Sequence, residues 1–524
     1  MAIINKRILV VLVGTVCLGL LTILLVLSSH SQDQETAVHR TEYSYSYSDK
    51  DVRSELLAVG DNVRKCFNSS GLGSSDSNLL QLGIDNAQLF MKEYRKVIPR
   101  QSLEHHASHC WHTDYSASTT ALSLFRTGRV TGRIAGQKFD RPTDFVFYGR
   151  SAFLELSSRF NGRFSSNTVC LPKTYLLGFE KCGSTYLWCF ISKIINTFSG
   201  NSRKSSDKYH ADKEPYFWTP FLYTTSLPHS DTIGNPYLLN FLQASDPKIT
   251  IEERKHIMLM DGTPSTVLEW PKFRESDPDL ANYCLLPSAL PQLFPNSKYV
   301  VIMRDPVDML YSNFWWTYFI ETLVLNELST FINDVYDAAQ GPKIFHNRSV
   351  SKINSFLQCF RDKSQAPCSF FEATLEEYND CISSRTHLLS NCVHEITNER
   401  TRKESAIHRG IYYVHVRKWL SVLPRDRILF VRLETLKKEP AKIASQVLDL
   451  FEINGERNKL PLTDEVVRNI TADCSTNSDG LIDYKHSPDI KNMLKETKVM
   501  LKKFFVPFNK LLAELLDSDQ FLWN

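Results

Sequence analysis

The sequence lacks a dominant charge: 61 Lys and Arg stand against 58 Asp and Glu, a formal net charge of +3. That balance argues against a polybasic nucleic-acid wrapper, and no nucleic-acid partner is expected. Glycine and proline are scarce, at 20 and 22 in 524 residues, which excludes a collagenous or linker-rich polymer. No repeat is visible, so a solenoid or propeller is not expected. CxxC and HExxH spacings are both missing, which removes two common zinc signatures. What remains is ordinary: 42% hydrophobic and 23% charged residues, in a chain long enough to bury a sizeable core.

Long apolar runs are missing too, with one exception. Residues 8–27 (ILVVLVGTVCLGLLTILLVL) carry no charge, enough to cross a hydrocarbon core of about 30 Å as a helix. Lys6 and Arg7 precede the run, and Asp33, Glu35 and His39 follow it. The positive-inside bias then makes residues 1–7 a cytosolic tail, 8–27 a retained signal anchor, and the remainder lumenal or extracellular. Sequons at Asn68, Asn347 and Asn469 fit that compartment. So do the cysteines: Cys17 lies in the span, and the other 11 of 12 allow several disulfides and at least one free thiol. Cys359, Cys368, Cys381 and Cys392 form a close set suited to stapling an insertion, in a pairing the sequence leaves open; zinc is the alternative, without a CxxC to support it.

Residues 28–78 are rich in Ser, Asp, Glu and Thr, including YSYSYSDKD, and read as a stem that cannot bury enough apolar surface to offset its ordering entropy. Residues 79–169 read as an N-terminal elaboration of the main domain. Within them EHHASHCWH puts His105 and His109, and His106 and Cys110, one helical turn apart, a spacing open to metal ligands or to plain surface histidines; His112 closes the cluster. From residue 170 to 524 short apolar runs at 175–178, 257–260, 299–303 and 428–431 each end in a polar motif, with helical segments between them. Strands alternating with helices predict an α/β fold with a parallel sheet flanked by helices, whose ligands gather beyond the carboxyl ends of the strands.

Four motifs fall at those ends. The first strand runs into GFEKCGSTYLW, where Gly178, Gly183 and Thr185 keep the spacing of the nucleotide P-loop GxxxxGK[ST]. Ser184 replaces the loop Lys, and a Lys appears earlier, at Lys181; the turn amides and helix N-terminus still suit an anion. In KEPYFW, Pro215 keeps Glu214 out of the helical region, so its carboxylate falls on a loop or strand end and can act as a general base. In IMLMDGTPST a strand ends in Asp261, which also resembles a Walker B element and keeps a metal-dependent phosphotransferase open. YVVIMRDPVDMLYSNFWW delivers Arg304 from a strand and starts a helix at Pro306, with Ser312 two turns further on, so that a guanidinium and a hydroxyl can clamp one phosphate. The segment 410–423 has helical spacing with Trp419 and Leu420 on an apolar face, suited to core.

KCGST, KEPYFW, DGTPST and RDPVDMLYSNFWW, followed by RGIYYVHVRKWLSVLPRDRILFVRLETL and MLKETKVMLKKFFVPFNKLLAELL, together resemble a Golgi carbohydrate sulfotransferase, and within that family the N-acetylgalactosamine 4-sulfate 6-O-sulfotransferase branch. The resemblance covers residues 170–524. It implies 3′-phosphoadenylyl sulfate (PAPS) as co-substrate with no metal required, a glycosaminoglycan acceptor, and a type II protein held in the Golgi membrane by one N-terminal helix. A homodimer is left open. Residue by residue, it implies that Lys181, Cys182, Gly183, Ser184 and Thr185 form the 5′-phosphosulfate loop and that Arg304 and Ser312 hold the 3′-phosphate. Lys485 would belong to a basic loop closing over the nucleotide, and Lys181 and Glu214 would be catalytic. Two departures stand out: Ser184 where Thr is commoner, and Glu180 where Pro is usual. A carboxylate beside bound phosphates repels them unless it points away or pairs with a cation. Two further readings stay open: a lumenal P-loop kinase, and a decayed domain that only binds sulfated glycans.

Overall fold

The structure, a computed structural model, describes residues 49–72, 77–95, 109–112, 168–199, 258–268, 279–328, 340–364, 368–398, 406–452, 463–477 and 492–523. In chain order these hold α1 (Asp49–Ser69), α2 (Ser77–Arg95), β1 (His109–His112), β2 (Thr168–Leu171), β3 (Thr174–Leu176), α3 (Ser184–Ser199), β4 (Met260–Asp261), α4 (Leu285–Leu293), β5 (Lys298–Met303) and α5 (Pro306–Leu328). They continue with α6 (Gly341–Ser364), α7 (Leu375–Ser383), α8 (Leu389–Asn398), α9 (Tyr412–Leu420), β6 (Ile428–Arg432), α10 (Leu433–Lys438), α11 (Pro440–Leu450), α12 (Asp464–Asn477) and α13 (Lys495–Leu516).

The central sheet is parallel, in the order β4-β3-β5-β6. The predicted parallel α/β arrangement is therefore present, with strand ends displaced by at most three residues. β5 is buried from Tyr299 to Met303 and reads YVVIM without alternation, the pattern of a strand covered on both faces. Tyr175 stacks on Tyr299 at 5.5 Å between ring centroids, and Tyr299 meets Trp419 at 5.6 Å. Trp419 is fully buried and its indole N–H donates to the carbonyl of Val267, so this helix face is core, as its spacing suggested.

One reading of the sequence changes, one alternative loses its geometry, and one open pairing is settled. The expected stem runs to residue 78, yet α1 starts at Asp49 and buries Val59, Val63, Cys66 and Phe67. Cys66 is disulfide-bonded to Cys284, and the Arg95 guanidinium grips Glu55 at 2.9 Å, so this segment belongs to the folded unit that begins at Asp51. Its polar composition hides an amphipathic helix whose apolar stripe is spent on α2 and α4. In the histidine cluster, residues 109–112 are a strand rather than a helix, paired antiparallel with β2 in the register Cys110↔Cys170, so one-turn ligand spacing does not apply to them. Finally, the close cysteine set pairs as Cys359–Cys392 and Cys368–Cys381, which leaves no thiolates there for zinc. Among the described residues no helix is long and apolar enough to cross a membrane; residues 8–27 lie outside them.

Candidate active site

The carboxyl end of β3 is bound to β5 beyond the strand itself. The Leu177 amide donates to the Val300 carbonyl at 2.8 Å, and the Phe179 amide to that of Ile302 at 3.2 Å. Between them Gly178 is obligatory by contact: a Cβ there would lie 2.6 Å from Ile302 Cγ2. The chain then reverses through Lys181 (φ 61°) and Gly183 (φ 89°) into α3. A Cβ on Gly183 would also meet Leu433 at 2.7 Å, so only glycine fits both the torsion and the space. The first amides of α3 have no intrahelical acceptor, and with the helix dipole they present positive charge at this turn. Ser184 and Thr185 stand in that first turn.

Arg304 lies beside this turn. Cys182 is fully buried and lies 3.3 Å from the Tyr412 hydroxyl. That hydroxyl donates its single proton to the Arg304 carbonyl at 2.9 Å, so the thiol is the donor in the S–H···O contact. Burial drives the Cys182 thiol up to about 12, and burial with the neighbouring thiol keeps Tyr412 protonated as well. Cys182 is thus a neutral linker between the turn and Arg304.

The opposite wall is α5. The Asp305 carboxylate accepts the Val307 amide at 2.9 Å, and Pro306 occupies the first helical position, where its missing N–H costs nothing. Burial raises the Asp305 pKa despite that bond. Asp308, Ser312 and Trp316 follow at four-residue intervals along one stripe. The Arg304 guanidinium reaches Asp308 at 3.8 Å, and the Lys181 ammonium lies 4.2 Å from the centre of the Trp316 ring, a cation–π contact. Lys181, Arg304 and Ser312 are therefore brought to one cleft between the turn and α5.

Several residues of this cleft were not singled out in the sequence. Arg409 donates from Nη1 to the Glu180 carboxylate, which supplies the cation that Glu180 needs. The Glu434 carboxylate accepts the Asp305 amide at 3.0 Å and the Arg432 Nε–H at 3.0 Å, fixing the start of α5 to the end of β6. Phe179 packs on Tyr412 at 4.4 Å and on His415 at 5.9 Å. Burial drives His415 down to about 3, so it is a neutral ring behind the turn. Only Trp316 carried a legible signal, as one of two adjacent tryptophans one turn after Ser312.

At the end of β4 the Asp261 carboxylate accepts the Thr263 amide at 3.0 Å and so helps shape the turn into Pro264–Val267. Glu214 and Lys485 lie outside the described residues, as do His105 and His106. Among the described residues no group of three His, Cys, Asp or Glu side chains is placed to hold a metal ion.

Residues 171–497 match the sulfotransferase domain. The chain is 22% identical over 445 residues to carbohydrate sulfotransferase 15 of Rattus norvegicus and 23% identical over 447 residues to that of Homo sapiens, each alignment covering 82% of this chain and 67% of the relative. It is also 21% identical over 327 residues to the membrane-associated sulfotransferase kil1 of Dictyostelium discoideum, covering 56% of this chain and 64% of that protein. The turn and its arginine wall thus sit in a matched domain that spans most of the ordered sheet, and the chain belongs to the sulfotransferase family and is a sulfotransferase.

Proposed function

We propose that the protein transfers a sulfuryl group from PAPS to a hydroxyl of a glycosaminoglycan sugar, specifically the 6-OH of N-acetylgalactosamine 4-sulfate in chondroitin or dermatan sulfate. The observation that carries this reading is the Cys182 link, which keeps the anion-binding turn and Arg304 at one end of the sheet. A donor with phosphates at both its 5′ and 3′ positions needs two such grips, whereas a P-loop nucleotide needs its loop Lys, and Ser184 stands in that place.

PAPS supplies the activated sulfuryl group and, in adenosine 3′,5′-bisphosphate, its leaving group. The amides of Gly183, Ser184 and Thr185, with the two hydroxyls, would bind the 5′-phosphosulfate, while the Cys182 amide donates to the Phe179 carbonyl at 3.2 Å and holds the turn in shape. Arg304 and Ser312 would hold the 3′-phosphate, and Lys485 would close over the nucleotide. Lys181, kept at the cleft by Trp316, would neutralise the charge growing on the bridging oxygen as the sulfur–oxygen bond breaks. Glu214 would accept the proton of the attacking sugar hydroxyl while the new sulfur–oxygen bond forms in line. The roles of Glu214 and Lys485 rest on the resemblance of their motifs. No metal is needed in this scheme, because protein cations and amides meet the charge of both phosphates. The carbohydrate acceptor is supported by relatives named carbohydrate sulfotransferases.

The same reading places the chain in the Golgi as a single-pass type II protein anchored by residues 8–27, with the catalytic domain in the lumen. Support comes from disulfides, four of them with both cysteines among the described side chains, which form in oxidising compartments. It is tested by incubating the full chain in detergent with sulfur-labelled PAPS and a panel of desulfated and sulfated glycosaminoglycans, followed by disaccharide analysis. Label is expected at the 6-position of 4-sulfated N-acetylgalactosamine. Glu214→Gln should abolish transfer and keep nucleotide binding; label in no glycan would favour the binding-only reading.

A further inference from the structure

α13 buries Thr497, Leu501, Phe504, Phe505 and Phe508 in the core. Its opposite face is different. Lys495, Lys498, Lys502 and Lys510 are all exposed. At 3.6 residues per turn they fall within an arc of about 120° and run for about 22 Å along the axis. Glu496 and Glu514 lie outside that arc, so no acid of α13 itself interrupts it. Among the described residues none of the four ammonium groups has a hydrogen-bond or ion-pair partner.

This face adjoins an apolar groove, and its helix packs near the start of α5, where Phe505 and Pro306 both lie against Gly410. Lys502 lies within electrostatic reach of Asp305, the residue that follows Arg304 and starts α5. Beside Lys495, the residues Phe370, Phe371, Val499 and Met500 line an open groove of ≈ 480 Å³, with Glu496 and Lys503 also on its wall. Phe371 is 53% exposed and Val499 is 62% exposed. Lys503 is fixed there, donating to the carbonyls of Phe370 at 2.6 Å and Ala373 at 2.7 Å. Exposed lysines in a line match a stiff chain with anions at intervals. Exposed apolar and aromatic surface matches the C–H faces of sugar rings. A nucleotide is too short to need such a face, and a flat membrane would not require it to lead to the start of α5.

We propose that the lysine face of α13, with the adjoining Phe371 groove, binds a sulfated glycosaminoglycan chain outside the cleft and feeds it towards the transfer site. This rests on the reading of the protein as a glycosaminoglycan sulfotransferase and assigns it an extended acceptor surface.

The test compares the full-length wild type in detergent with K495Q/K498Q/K502Q and with a control, K437Q/K438Q/K442Q, which removes the same charge from α10 and α11. Direct binding is measured to chondroitin sulfate polymer, to adenosine 3′,5′-bisphosphate and to phosphatidylserine-containing vesicles. Transfer is measured as KM and kcat on polymer and on a tetrasaccharide. The α13 variant is expected to raise the polymer Kd and KM about tenfold, the combined loss of three exposed charge contacts. Its kcat, nucleotide affinity and tetrasaccharide KM should stay unchanged, the salt dependence of polymer binding should flatten, and the control should match wild type. The proposal falls if the polymer Kd is unchanged, if the control loses as much, if nucleotide affinity falls instead, or if the face binds vesicles and not the glycan. A wild type that transfers label to no glycan would sink the functional reading on its own, and polymer binding would still decide whether α13 is a glycan surface.

Discussion

Glu180 sits one residue before Lys181, and its carboxylate would oppose a bound anion were it not paired with Arg409. Both side chains are about a quarter exposed, so the pair contributes little to stability, under about 1 kcal/mol. Its effect belongs to ligand affinity. Arg409→Gln is expected to weaken adenosine 3′,5′-bisphosphate binding several-fold by freeing the Glu180 charge, with the double variant E180Q/R409Q closer to wild type. Titration calorimetry on the wild type and the two variants measures this; equal losses in the single and double variants would show that Arg409 acts without Glu180.

His415 makes a second prediction. Its folded pKa is depressed to about 3 by burial, against 6.5 for the free side chain. The unfolded chain therefore takes up a proton as pH falls through 6.5 while the folded protein does not. Stability is full above that value and declines from there towards pH 3. His415→Phe is expected to remove about one proton from the linkage between pH 6.5 and 4, read as a shallower fall of melting temperature with acidity. An unchanged slope would mean that the ring titrates in the folded state.

Among the helices, α3 begins at the glycine turn after β3 and is held by the disulfide from Cys189 to Cys474 on α12, across 285 residues of sequence. Closing so long a loop restricts the unfolded chain, so C189A/C474A should lose about 2–5 kcal/mol. The loss should also appear as faster hydrogen exchange along α3 and α12, ahead of that in β5. Exchange rising evenly across the whole domain would show that the cross-link does not act on this pair. The start of α5 was legible because its signals are adjacent in sequence: Asp305 as cap, then Pro306. The start of α1 was not, because its apolar positions are spread through a polar stretch and gain meaning only from α2 and α4.

For the whole molecule, the three sequon asparagines Asn68, Asn347 and Asn469 are all exposed, although each lies within a helix. Expression in a secretory host is expected to give a protein whose apparent mass drops on peptide N-glycosidase treatment, in three steps removed one by one by Asn→Gln at these positions. A protein with no shift would contradict the lumenal placement, which the disulfides also favour.

Local order was enough for the strand-turn-helix at Gly178 to Thr185, the second strand-to-helix junction at Arg304, and the core role of Trp419, because strand runs, glycine torsions and helix caps are set by neighbours in the chain. Sheet order was not local. It brought Arg409 to Glu180 across 229 positions and Tyr412 to the Arg304 carbonyl across 108. It also stacked Lys181 on Trp316 and brought Lys502 of α13 within electrostatic reach of Asp305 at the start of α5. Contacts of this kind depend on which strands lie side by side and which helix faces meet, and the burial of a shared core decides both.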